Sequence, residues 1–263
     1  MAAQPEGTPC WADAMFPDLE AAKSFYGELL GWTFDEASEE YGYYTQARSG
    51  GKIVAALTPQ MPGVEGPAAW NLYFATPDAT ATATKIRDNG GALTMDPMTV
   101  GEFGTMVTAQ DPSGVHFSVW QAASHEGFEK IGEPGSYAWA DLITRDVEKA
   151  DRFFPTVFPF EVQRMKHEAV DFHLWSVGGK PVAGRMKMTD DFPPDTPPYI
   201  NVHFAVDNCD DAVATVTKLG GQVTSAAMDS PFGRFASVMD QQGAAFSVID
   251  LQTTKGEMPE WES

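Results

Sequence analysis

Apolar residues in this chain follow two rhythms. In some stretches they recur every three or four positions, and in others they alternate or run short. Leu19, Ala22, Tyr26, Leu29 and Leu30 fall on one helical face after Asp18, and Val213, Val216 and Leu219 do so after Asn208. Asp18, Asp78, Asp146 and Asn208 each carry a short side-chain oxygen that can accept from a free N–H of a first helical turn. Each is followed thirteen residues later by a helix breaker, respectively Gly31, Gly91, Pro159 and Gly221. A helix is predicted inside each interval. Asn71–Ala75, Thr105–Thr108, Val115–Trp120 and Ala236–Met239 read as strands. Gly50-Gly51 before Lys52 and Gly178-Gly179 before Lys180 read as hairpin turns.

The pattern is duplicated. Trp11-Ala12-Asp13 recurs as Trp139-Ala140-Asp141, an offset of 128 residues, and Phe25-Tyr26 recurs as Phe153-Phe154. The offset drifts slightly further on, where Asn71-Leu72-Tyr73-Phe74-Ala75 returns as Asn201-Val202-His203-Phe204-Ala205 and Asp111-Pro112-Ser113-Gly114 as Asp240-Gln241-Gln242-Gly243. Small drifts confined to loops are what duplicated domains accumulate. Each copy reads as strand–helix–strands twice over, giving an α+β chain of four βαβββ-like modules. The predicted division is a first domain at 1–122, a linker at 123–136, a second domain at 137–252 and a polar, frayed tail at 253–263. Pro59–Pro67 and Phe192–Pro198 would connect the two modules within each copy. A two-fold relation between the copies is expected, because a duplicated chain can reproduce a dimer.

Composition narrows the partners. The 263 residues suit two domains. The formal net charge of −20 opposes phosphate backbones and anionic lipid, so neither a nucleic acid nor a membrane is expected as a partner. Cys10 and Cys209 are not equivalent in the duplication, so no disulfide is predicted. The opening MAAQPEGTPCW lacks a basic start and an apolar segment, and a signal peptide is not expected. With no apolar run near the ~20 residues of a membrane span, the chain reads as cytoplasmic. Neither GxGxxG nor GxxxxGK[ST] occurs, and neither GxSxG nor HExxH does. Nucleotide-cofactor and serine-hydrolase chemistry have no support.

Asp18 to Phe25-Tyr26 leading to Leu30-Gly31-Trp32, and Asp111-Pro-Ser-Gly114 followed by an apolar strand, resemble the vicinal-oxygen-chelate superfamily of glyoxalases, bleomycin-resistance proteins and extradiol dioxygenases. The second copy resembles the same pattern at Asp146 to Phe160 and Asp240 to Val248. In layout the chain is similar to two-domain glyoxalase-like proteins often labelled hydroxylases without a demonstrated reaction. The resemblance implies tandem glyoxalase-like domains, with paired modules curling mixed sheets around a ligand cavity, and four metal ligands, usually His or Glu. Those four positions fall on Trp11, Ala56, Asn71 and Ser118 in the first copy, and on Trp139, Gly184, Asn201 and Ser247 in the second. An indole N–H cannot ligate a cation, and alanine and glycine offer nothing. Asparagine and serine are weak neutral ligands. No metal and no other cofactor is therefore expected.

Strand alternation extends the candidate ligand-binding set to Asp13, Tyr73, His116 and Trp120 in the first copy, and to Asp141 and His203, with Ala245 and Ile249, in the second. Each has a plainer reading. Trp11 and Trp139 read equally as core aromatics. Asp13 and Asp141 could face the seam between copies. His116 and His203 read first as satisfied structural histidines. His173 has no assignable face, and His125 and His167 read as solvated surface. The sequence thus points to a metal-independent member of the superfamily, a monomer with pseudo-dimeric domains, binding a small organic molecule in aromatic cavities. The alternatives are a metal-dependent glyoxalase-type lyase or an oxygenase with atypical ligands, such as His116 or His203 with Asp13 or Asp141.

Overall fold

The structure is a computed structural model describing residues 4–61, 63 and 66–262. Residues 1–3 of the first predicted domain, 62, 64 and 65 in the Pro-rich connector, and 263 of the tail lie outside the described residues. The first copy runs β1 (Pro9–Phe16), α1 (Leu19–Leu30), β2 (Thr33–Phe34), β3 (Thr45–Ser49) and β4 (Lys52–Pro59). It continues with β5 (Ala69–Ala75), α2 (Ala79–Asp88), β6 (Ala92–Val100), β7 (Gly104–Gln110) and β8 (His116–Ala122). The second runs β9 (Tyr137–Thr144), α3 (Val147–Val157), β10 (Glu161–Met165), β11 (Phe172–Val177) and β12 (Lys180–Lys187). It continues with β13 (Tyr199–Ala205), α4 (Cys209–Lys218), β14 (Gln222–Ser230), β15 (Gly233–Met239), β16 (Ala245–Asp250) and β17 (Trp261–Glu262).

The helices start where the short polar side chains place them. Asp18 accepts from Ala21 N–H at 2.9 Å, Asp78 from Ala81 at 2.9 Å and Asn208 from Asp211 at 3.0 Å. Gly31 closes α1 at φ 67°, a left-handed conformation that costs glycine nothing. No helix among the described residues is long and apolar enough to cross a membrane.

Each copy forms one mixed sheet. The first is ordered β2-β3-β4-β1-β5-β8-β7-β6 and the second β14-β15-β16-β13-β9-β12-β11-β10-β17. The two modules of one copy meet at β1–β5 or β9–β13, which pair antiparallel, while β1–β4 and β5–β8 pair parallel. The expected α+β architecture is therefore present, and both modules of a copy contribute to the same sheet. One prediction fails at the tail. It is not frayed, because Trp261 and Glu262 pair with Met165 and Arg164 of β10. An unpaired edge strand recruits any chain that can satisfy its N–H and C=O groups.

The helix-bearing faces of the two sheets bury each other in one core. Phe74 and Phe117 of the first sheet pack on Phe154 of α3 at 6.3 and 5.3 Å, and Phe246 of the second packs on Phe25 and Tyr26 of α1 at 6.4 and 5.6 Å. The exchange is reciprocal, as a two-fold relation between the copies requires. The Asp-x-x-Gly loops lock it locally. Asp240 accepts from Gln242 and Ala244 N–H and from the Tyr26 hydroxyl of the other copy.

Candidate functional site

The other face of the first sheet carries no helix. Alternation on β1 puts Trp11 and Asp13 there, and the register sets Trp11 beside Tyr73 and Asp13 beside Asn71 and Ala56. Ser118 pairs with Tyr73 across β8. These side chains form one connected polar network. The Trp11 indole donates to the Tyr44 hydroxyl at 2.6 Å, and Tyr44 donates to Asp13 at 3.1 Å. Tyr73 donates to the same carboxylate oxygen at 2.8 Å, and the Asn71 amide reaches the other at 3.2 Å. Asn71 and Ser118 bond each other, and Ser118 continues to Thr108 at 3.0 Å. Around the network, Cys10, Trp11, Ala56, Tyr73, Ala75 and Trp120 close into a second apolar cluster.

The linker lies across this face. Phe128 N–H donates to Cys10 O and Glu129 N–H to Ile53 O. The His125 ring stands edge-on to Trp11 at 4.5 Å, and its carbonyl accepts from the Trp120 indole at 2.8 Å. His125 is thus no solvated surface residue, and burial holds its pKa below the ordinary value.

The second sheet repeats the arrangement with different groups. The Trp139 indole donates to Asp141 at 2.9 Å, and the other Asp141 oxygen lies 2.9 Å from His203 Nε2. The Asn201 amide lies 3.1 Å from the same ring nitrogen and 2.8 Å from Ser247 Oγ, which reaches Ser237 at 3.1 Å. Phe172 stands where Tyr44 does in the first copy. A Cβ at Gly184 would lie 2.2 Å from its ring and 2.5 Å from Asp141 Oδ1, so only glycine fits there.

Of the sequence-predicted residues, Trp11, Asp13, Asn71, Tyr73, Ser118 and Trp120 meet on the first face, and Trp139, Asp141, Asn201, His203 and Ser247 on the second. His116 does not join them. It opens β8, exposed, with Nε2 3.1 Å from Gln110 Nε2. It shares the Ser118 side, yet two residues along a strand is about 6.6 Å, which carries it clear of the network. His173 lies on the helix side with Trp175, Nδ1 3.2 Å from Asp151 Oδ1 but out of line for a hydrogen bond. Tyr44, Thr108, Ser237 and the linker's Phe128 were missed. Tyr44 precedes its strand, so alternation did not reach it, although its offset-128 partner Phe172 marks the position. Both cysteines are buried thiols, and burial raises their pKa, that of Cys209 to about 11, which argues against a thiolate nucleophile. A surface depression of about 700 Å³ lies elsewhere, between Gly90, Pro112 and the α3 residues Lys149, Arg152 and Phe153. It is open and lacks a convergent set of buried polar groups, so the networks above remain the candidates.

A family model described as Glyoxalase/Bleomycin resistance protein/Dioxygenase superfamily matches residues 11–119. The Anthracycline biosynthesis protein DnrV of Streptomyces peucetius is 36% identical over 260 residues, covering 94% of each chain. The chain belongs to this superfamily. Its fold is similar to the Mn(II)-bound glyoxalase from Novosphingobium aromaticivorans, at TM-score 0.64 and 15% identity over 97% of this chain and 87% of that one. It is also similar to 2,2',3-trihydroxybiphenyl 1,2-dioxygenase from Sphingomonas wittichii strain RW1, at TM-score 0.65 and 13% identity over 93% and 90%.

A superfamily member invites a metal, and the side chains here do not fit one. Among the described residues no three His, Cys, Asp or Glu side chains converge as a metal site. Asp13 is already engaged by three donors, and Phe172 covers the Gly184 position. Burial instead makes Asp13 a weak acid. It pushes the carboxyl pKa from 3.8 up to about 6, despite the opposing hydrogen bonds from Tyr73, Asn71 and Tyr44. The folded chain therefore binds more protons than the unfolded one between those values. Stability falls as pH rises through that window, by about 3 kcal/mol for this group alone. Carboxyl-carbon NMR should show one aspartate titrating near pH 6, and Tyr73→Phe should move that midpoint higher. A midpoint near 4 for every aspartate would contradict the burial argument.

Proposed function

We propose that this protein binds a small organic molecule on the helix-free faces of its sheets, without a resident metal. One observation carries the reading. The positions that the resemblance assigns to the cation ligands hold Trp, Ala or Gly, Asn and Ser, and the Trp, Asn and Ser among them are woven into networks with Asp, Tyr and His. Such a set offers aromatic surface and a few placed donors and acceptors, which is how organic ligands are held. Asparagine and serine could not offset the dehydration of a divalent ion, whereas they bond a carbonyl or hydroxyl well. The relative from Streptomyces peucetius, named for anthracycline biosynthesis, is in keeping with a small organic partner.

The test is a screen of small organic compounds against chelator-treated protein by ligand-observed NMR. Elemental analysis should find well under one equivalent of manganese, iron, nickel or zinc per chain. EDTA should leave the melting temperature and the affinity of a hit unchanged, since a metal bound to the native state would add stability by mass action. Asn201→Ala should weaken a hit about tenfold, the effect of one to two lost hydrogen bonds. Binding that disappears on chelation and returns with added metal would instead favour the metal-dependent lyase or oxygenase.

A further inference from the structure

The two helix-free faces are not equally finished. On the first, every polar side chain borne by the strands finds a partner within the protein. The linker's His125 and Phe128 lie against Trp11 at ring separations of 4.5 and 5.7 Å, with His125 Nε2, on the covering linker, the buried atom left unpaired. Trp11, Tyr73 and Trp120 are buried there among their own neighbours. On the second, His203 is 7% exposed and its Nδ1 is buried with no partner. An unpaired buried acceptor is destabilising unless something satisfies it.

The side chains in the centre of the face also shrink from the first copy to the second. Tyr73 becomes His203, Trp120 becomes Ile249, Ala56 becomes Gly184 and Thr108 becomes Ser237. At the rim the change is opposite in sign, because Met106 becomes Phe235 and Ala69 becomes Tyr199, each adding a ring. Phe103, packed against the first cluster, corresponds to Phe232, which is 45% exposed. Among the described residues of the tail, Trp261 contacts Phe172 from the far edge of the sheet at 6.2 Å, and none lies against Trp139 as His125 and Phe128 lie against Trp11.

Resting on the reading that this protein binds a small organic molecule, we infer that the second copy alone holds the ligand, an uncharged planar ring compound bearing an O–H or N–H donor that bonds His203 Nδ1. The chemistry follows from the groups present. The Asp141 carboxylate can only accept, so in the neutral ring His203 Nε2 keeps the proton, the Asn201 amide turns its oxygen rather than its NH2 toward that nitrogen, and Nδ1 presents a bare lone pair. Trp139, Phe172, Tyr199 and Phe235 supply ring faces around it. The strand positions that share this face carry neither lysine nor arginine, and Asp141 stands in the middle, so an anionic group is disfavoured.

Titration of the full chain with 1-naphthol, naphthalene and 1-naphthoate tests this, by tryptophan fluorescence and calorimetry. One 1-naphthol per chain is expected, with naphthalene at least tenfold weaker and 1-naphthoate weaker still. Ile249→Trp, which restores the bulk found at Trp120, should abolish binding. His203→Phe should remove the tenfold preference for the hydroxyl while leaving naphthalene bound, so the test survives if the tryptophan variant fails to fold. Two molecules per chain, or full 1-naphthol affinity in both folded variants, would overturn the assignment to the second copy and leave the broader reading intact. If none of the three probes binds, the ligand class falls. If the compound screen also finds no binder, the broader reading falls with it.

Discussion

Asp151→Ala is expected to lower stability by about 3–5 kcal/mol, the cost of leaving a buried charge without its partner. Arg185 on β12 is 1% exposed, and its guanidinium forks onto Asp151 of α3, with Nε and Nη2 each at 2.8 Å from one carboxylate oxygen. Nη1 is held by Asp171 at 2.7 Å. Removing Asp151 leaves Nε and Nη2 of this buried guanidinium without an acceptor, while Nη1 keeps Asp171. The reverse change should cost far less. Arg185→Leu leaves two carboxylates whose side chains are 26% and 33% exposed and can rehydrate. The first copy already carries Leu57 at that position and does without the ion pair. Burial raises the Asp151 pKa, but His173 and Arg185 outweigh it and leave the group below its ordinary 3.8. Its contribution is therefore present above that value and is lost as pH falls further. Chemical denaturation of the two variants at neutral pH checks the ordering. Equal losses would mean that packing, not charge, dominates at this site.

The contrast between Arg185 and Leu57 also shows where sequence reading stopped. The fold was legible because Asp or Asn caps and glycine turns repeat at fixed spacing, and each acts locally on its own helix or hairpin. Trp11, Asn71, Ser118 and their counterparts were legible because alternation on a strand fixes a face. What could not be read depended on contacts between distant segments. Arg185 needs α3 to explain its burial, and His125 needs the linker to cross β1. The bulge between Pro9 and Trp11 breaks the alternation that would otherwise place Cys10. His116 was misassigned for a related reason, since periodicity gives a side but not how far along the strand the network extends. Tyr44 lay just outside its strand, where the period-two argument has no hold.

The reciprocal core makes a stronger claim on the whole molecule. Fragments spanning 1–122 and 137–263 are each expected to lack a folded monomeric state. In the first, Phe25, Tyr26, Trp32, Trp70, Phe74 and Phe117 would lose the rings that now cover them, among them Phe204 at 4.9 Å from Trp70 and Phe158 at 5.1 Å from Phe74. At about 1.5–3 kcal/mol for each large apolar side chain re-exposed, the loss is on the order of 10 kcal/mol. That equals the whole stability of an ordinary domain. Polar ties go as well, because Tyr26 would lose Asp240 and the Trp32 indole would lose the Gly135 carbonyl at 2.8 Å. The copies are alike enough for a fragment to seek the same cover from a second copy of itself. Circular dichroism and light scattering should therefore find each fragment unfolded or self-associated, and the two should regain the native spectrum only when refolded together. A monodisperse monomer from either half, melting cooperatively, would show that the sheets do not depend on each other's helices.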